Sequence, residues 1–368
     1  MNFDITEDQR RTQQAARDFA ERVLAPRAAD VDREGQLAPE TIAQLAEAGW
    51  LGMTIPEAHG GSGGDFTSLV LAIEEFAVAC TNTAAFVGAN VLVARALLAH
   101  GNEAQQSELL PAVVRGKKTI ALATLNPDEL LDASRQSDGS YELRRKTDSV
   151  TLFGQPEQVI VFGYDADAAV VKTFVVPYDA KNLEATVLPA SLGKRAAHLC
   201  TLRFDAVHVA ESALLGTPSD ELDVAHTAME DGRVLAAAEA IGTARAAYDR
   251  AVQHVKTLPK STEPGLLGLQ VLVADMCVEI EAARLLMLRA ARQADAGVAS
   301  GSERSMAKLF ATEMATRVAH KALQIHGARA IATNPSLERH FRDARMTELS
   351  DDGLEVQRAN IAQTMLKA

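Results

Sequence analysis

Apolar positions recur at helical spacing over the first hundred residues, change to short alternating runs in the middle of the chain, and return to helical spacing afterwards. Thr6 followed by Gln9 has the form of a capping box, in which each side chain satisfies a free N–H at a helix start. Ala15, Phe19, Val23 and Leu24 then make an apolar stripe that Pro26 ends. The stretch PEAHGGSGGD from Pro56 to Asp65 predicts a turn-rich connection before an apolar helix starting near Phe66. From about Arg115 the pattern consists of β-branched runs broken by Asp, Gly and Pro, such as AVVKTFVVP ending at Pro177. In CTLRFDAVHV, Cys200, Leu202 and Phe204 alternate with Thr201, Arg203 and Asp205, as in a strand buried on one face. After about Asp220 long helices return, with Met306, Phe310, Met314 and Val318 on one stripe and Gly327 placed where a helix ends. These patterns predict a mainly α chain with a central β domain: a helical domain over 1–115, a β domain over 116–220 and a helical bundle over 221–368.

Charge and composition narrow the chemistry. The 368 residues carry 49 acidic against 37 basic side chains, a net charge of −12, and no local basic run replaces the footprint that a nucleic acid backbone would need. The start MNFDITEDQRR lacks the basic and then apolar order of a signal peptide, and no later segment offers eighteen uncharged apolar residues, so a soluble, cytoplasmic protein without a membrane span is expected. Cys80, Cys200 and Cys277 are odd in number and widely separated, which suits packing residues better than disulfides. No spacing of His, Cys or carboxylates indicates a metal.

Candidate chemistry first appears in HFRDARMTELSDDGLEVQR, from His340 to Arg358, where Asp351 and Asp352 stand together at a polar break. Two adjacent carboxylates suit either a solvated helix start or, if both face a cavity, a base with a raised pKa.

Several stretches resemble the acyl-CoA dehydrogenase family along nearly the whole chain. LAEAGWLGMTIPEAHGGSGG is similar to its early helix and glycine turn, with His59 where Tyr is common. TLRFDAVHVAESALLG resembles the end of its β domain, and MEDGRVLAAAEAIGTARAAYDRA the start of its carboxyl-terminal bundle. ALQIHG followed by RHFRDARMTEL carries the most specific likeness. The resemblance implies an N-terminal helical domain, a middle β-barrel or sandwich and a C-terminal four-helix bundle, assembled as a dimer or tetramer. It also implies a flavoenzyme of lipid catabolism that removes an α-proton and a β-hydride from an acyl-CoA thioester, the hydride passing to FAD.

Residue by residue, the likeness keeps the scaffold better than the chemistry. TELSDDGLEVQR resembles the family's TEIYEGTSEIQR and puts Asp351 at the position of the base, one methylene short of Glu. The family's second base position, before an Arg on the first bundle helix, holds Gly232 before Arg233; Arg233 and Asp351 are the candidate catalytic residues. Thr124 survives from a flavin-side TEPxAGSD pattern, and Thr151 from a W-[IV]-[ST] pattern that reads Ser149, Val150, Thr151 here, while Trp50 is the chain's only Trp. KTLPKSTEPGLLGLQ lacks the Arg and the Phe-Gly pair that resemble a pyrophosphate contact. Gln324 and Gly327 match a QxxGG element near the adenine end of FAD, Ala328 replaces its second glycine, and His326 reads as a structural histidine. The expected cofactor is therefore FAD, held weakly, shared with a partner subunit, or absent. Three readings follow: a diverged subunit of a hetero-oligomer with another acyl-CoA dehydrogenase chain, a self-sufficient homo-oligomeric enzyme using Asp351, or a non-catalytic protein that kept the fold.

Overall fold

The structure is a computed structural model that describes residues 4–216, 223–258, 263–298, 301–328, 335–350 and 353–367. Its first helix, α1 (Glu7–Phe19), starts at the expected capping box: Thr6 Oγ1 accepts from the Gln9 amide at 3.2 Å and Gln9 Oε1 from the Thr6 amide at 3.0 Å. The helix runs on through a π turn (Ala20–Leu24) and a 3-10 turn (Ala25–Arg27). Phe19 and Leu24 are buried as the stripe required, but Ala16 and Ala20 share that face and Ala15 is exposed. After α2 (Ala28–Glu34) and α3 (Pro39–Glu47), Asp65 caps α4 (Phe66–Ala79), which α5 (Thr81–His100) and α6 (Glu103–Val114) follow. By length and composition α5 could cross a membrane, yet most of it is buried inside this fold.

The middle of the chain forms an eight-stranded mixed sheet, ordered β6 (Leu183–Val187), β7 (His198–Val209), β3 (Tyr141–Leu152), β2 (Leu131–Arg135), β4 (Gln158–Asp165), β5 (Val170–Pro177), β8 (Leu214–Leu215). β1 (Ile120–Leu122) pairs in parallel with β4. On β7, Cys200, Leu202 and Phe204 point inward, and the alternation then slips: Ala206 takes φ +58° and Val207 and Val209 become the buried residues. The register between β3 and β7 shifts near this point, the signature of a bulge.

The remaining helices are α7 (Asp223–Thr257), α8 (Glu263–Asp295), α9 (Gly301–His326), α10 (Pro335–Leu349) and α11 (Leu354–Lys367). Met314 and Val318 on α9 are fully buried, with Met306 and Phe310 partly covered. The amino-terminal helices and the bundle share one core, because α4 packs directly on α7. Gly242 makes that crossing possible: a Cβ there would lie 2.2 Å from the Glu74 carbonyl oxygen. One expectation fails. Cys80 and Cys200 are buried, but Cys277 is exposed on α8, so it is not a core packing residue.

Candidate active site

A cavity of about 360 Å³ lies where α5, the sheet, α7 and the end of α10 meet. From α7 it takes Ala228, Gly232, Leu235 and Glu239, positions three and four apart that form one helical stripe. α5 contributes Phe86 and Gly88, the sheet side Thr124, Asp148, Thr151 and Phe153, and α10 Met346 and Leu349, with Ser350 next in sequence. Phe86 and Phe153 meet edge to face at 5.6 Å and tie the helical wall to the sheet wall.

The buried charges of this lining form an ion pair. Lys194 Nζ lies 2.7 Å from Glu239 Oε2, with the two side chains 9% and 8% exposed, and donates to Ser350 Oγ at 3.1 Å. Lys194 sits on the connection from β6 to β7, which is anchored at several points. Its amide donates to Asp343 Oδ1 at 2.6 Å, the Ala196 amide to Asn82 Oδ1 at 2.8 Å, and Arg342 Nη1 to the Leu192 carbonyl at 3.0 Å. Gly193 lets this loop press onto α10, since a Cβ there would lie 2.4 Å from the Arg342 carbonyl carbon and oxygen. Gly193→Ala is therefore expected to cost about 1–3 kcal/mol through forced backbone movement, seen as a lower Tm.

Burial pushes the Asp343 carboxyl up to about 6, against the opposing pull of the Lys194 amide and the Arg339 charge. Between about pH 4 and 6 the folded protein holds a proton that the unfolded chain has released. Stability from this group is thus present at low pH and falls as pH rises through that window. Asp343→Asn should remove this contribution: the stability of the variant relative to the parent should rise by on the order of 2–3 kcal/mol from pH 4 to 7, measured by chemical denaturation. Near it, His340 is held well below its usual pKa by burial beside Arg339 and Arg250, and so is neutral. Asp148, bound by Lys146 Nζ and Thr201 Oγ1, each at 2.7 Å, stays below the usual carboxylate range.

The structure gathers part of the expected site. Thr124 and Thr151 line the cavity together. Arg233 is buried on α7 but does not line it. Gln324 is exposed, and Gly327 ends α9 at φ +72°, both away from the cavity lining. His326 puts Nδ1 2.8 Å from the Ala322 carbonyl oxygen and stacks on His254 at 4.4 Å, in keeping with a structural histidine. Asp351 and Asp352 lie outside the described residues, although Ser350 before them is in the lining. Trp50 belongs to the amino-terminal core, edge to face with Phe76 at 5.2 Å and Phe19 at 6.1 Å. Sequence reasoning missed Lys194 and Glu239. The available signal was Glu239 itself, a charge inside LAAAEAIG on the same helical face as Gly232.

Thr124 and Thr151 bring two hydroxyl-bearing residues to the lining, and among the described lining residues Lys194 is the one cation and is engaged by Glu239.

Helices, a mixed sheet and a helical bundle converge on one cleft, and comparison places this architecture in a family. The family descriptions "Acyl-CoA dehydrogenase, N-terminal domain" and "Acyl-CoA dehydrogenase, C-terminal domain" match residues 6–117 and 222–366. The chain belongs to the acyl-CoA dehydrogenase family. It is 32% identical over 380 residues to the probable acyl-CoA dehydrogenase YngJ of Bacillus subtilis (strain 168), covering 100% of both chains. It is also 32% identical over 383 residues to the mitochondrial short-chain specific acyl-CoA dehydrogenase of Mus musculus, covering 100% of this chain and 92% of that one. Among solved structures, the butyryl-CoA dehydrogenase of Megasphaera elsdenii superposes with a TM-score of 0.92 at 29% identity, over 100% of each chain.

Proposed function

We propose that the chain binds an acyl-CoA thioester and works as a diverged subunit of an oligomeric acyl-CoA dehydrogenase, in which a more conventional subunit supplies the main flavin contacts and the base. The observation that supports this reading is the cavity lining: a cleft of about 360 Å³ carries Thr124 and Thr151, while Gly232 supplies no carboxylate and the lining cation is already paired. FAD, when bound, supplies the hydride acceptor of the α,β-dehydrogenation. Thr124 and Thr151 are this chain's contribution to holding it, and the remaining contacts come from a partner.

The partner surface is α8. Leu267, Val271, Val278 and Leu285 are exposed there, the last three seven residues apart, which makes a seam suited to a parallel or antiparallel helix of another subunit. Most of the neighbouring apolar run is internal, since Met287, Leu288, Ala290 and Ala291 are buried. Co-expression of the tagged chain with candidate dehydrogenase subunits, followed by native mass measurement, tests the assembly. A mixed oligomer is expected, and Val278→Glu should weaken it. A stable monomer, or a homo-oligomer that no candidate subunit alters, would contradict the reading.

A further inference from the structure

A cavity for a plain hydrocarbon chain has no use for a buried ion pair. Lys194 and Glu239 are each more than nine-tenths buried as side chains, meet at 2.7 Å and both line the cleft. Desolvating two such ions makes apolar replacements of similar volume neutral or stabilising in many proteins, so stability of the fold does not account for the pair. Glu239 continues the stripe formed by Ala228, Gly232 and Leu235, where an apolar residue would complete an apolar wall. Lys194 is held in the left-handed region at φ +48°, uncommon for a residue with a side chain, by a loop bound to both α5 and α10. The fold thus spends both desolvation and backbone strain to bring an ammonium group to the cavity wall.

An ammonium has three N–H donors. Glu239 Oε2 takes one and Ser350 Oγ a second, while the cavity lies alongside. We propose that this cleft takes an acyl group bearing an acceptor oxygen beyond the thioester carbonyl, a hydroxyl or a carboxylate, and that Lys194 donates to it. Glu239 is then a positioning residue that keeps the ammonium at the wall, and Ser350 fixes its second N–H. A hydrocarbon tail pressed against the pair would displace water from the ammonium and offer nothing in return, whereas an acceptor oxygen replaces that water. A site built to hydrogen-bond its ligand rejects the analogue lacking the group more strongly than an apolar pocket rejects a change of size. The inference rests on the acyl-thioester reading and names the substrate class of the same cavity.

Calorimetric titration of the purified full-length chain with butyryl-CoA, γ-hydroxybutyryl-CoA and succinyl-CoA tests it without needing turnover or bound flavin. The three share a four-carbon backbone and differ in the terminal group. At least one oxygen-bearing thioester should bind about 10-fold or more tightly than butyryl-CoA, and which one does so separates hydroxyl from carboxylate recognition. In the double variant Lys194→Met with Glu239→Leu, which removes both charges and keeps the volume, that preference should disappear while butyryl-CoA binding is kept or improved. Butyryl-CoA bound as well as or better than the others by the parent would overturn the inference and leave the acyl-thioester reading standing. Failure of the parent to bind any of the three would overturn both. A preference that survives in the double variant would also overturn the assignment to Lys194. The ranking in the parent decides the proposal even if the double variant does not fold.

Discussion

Glu74→Ala lowers the stability of the protein by about 3–5 kcal/mol, the usual cost of removing one partner from a buried charge cluster. Glu74 is fully buried on α4, with Arg245 Nη1 2.5 Å from Oε1 and Arg284 Nε 3.0 Å from Oε2. Glu75 beside it binds Arg245 at 3.1 Å and Arg17 at 3.0 Å, so one cluster joins α1, α4, α7 and α8. Truncating Glu74 leaves Arg245 to share Glu75 with Arg17 and removes the carboxylate that Arg284 Nε meets. The carboxylates hold the Arg245 charge in place against its desolvation, raising its pKa above the usual arginine value. Thermal and chemical denaturation check this, and a shift no larger than that of Glu7→Ala, which removes an exposed α1 pair with Arg11, would show the cluster to be energetically idle.

The second large effect concerns catalysis. In the isolated chain, supplied with FAD, an acyl-CoA and an electron acceptor, turnover is on the order of 100-fold or more below that of an enzyme with a well-placed base, because a carboxylate one methylene short is displaced by about 1 Å. Asp351→Asn is expected to remove at most the small residual rate that a displaced carboxylate sustains, whereas Asp351→Glu raises the rate if the pocket still suits the longer carboxylate. The opposite result, an active parent whose turnover Asn abolishes while thioester binding persists, would establish Asp351 as the working base and remove the need for a partner's.

Much of the fold was legible because its signals are local. The Thr6 and Gln9 capping box lies within one helical turn, and the alternation of Cys200, Leu202 and Phe204 reports one sheet face directly. The alternation fails at Ala206 because an alanine at φ +58° carries no sequence mark of a bulge. Likewise, Cys277 reads as a packing residue by type, and only the orientation of α8 turns it outward. Short patterns single out Thr124 and Thr151 in the sequence, and the structure places both in the lining of one cavity. The pairing of Lys194 with Glu239 could not be found in this way, since 45 residues separate them and they meet only because Gly193 lets a loop close on α10. Such a contact is a property of the assembled fold, not of either segment.

If this chain needs a second subunit to hold flavin, the molar ratio of FAD to chain shows it, measured by visible absorbance and by extraction in the protein purified alone and in the protein co-purified with a conventional acyl-CoA dehydrogenase subunit. A nearly colourless preparation alone and a yellow one with the partner are expected. Stoichiometric FAD in the chain purified alone would contradict that need.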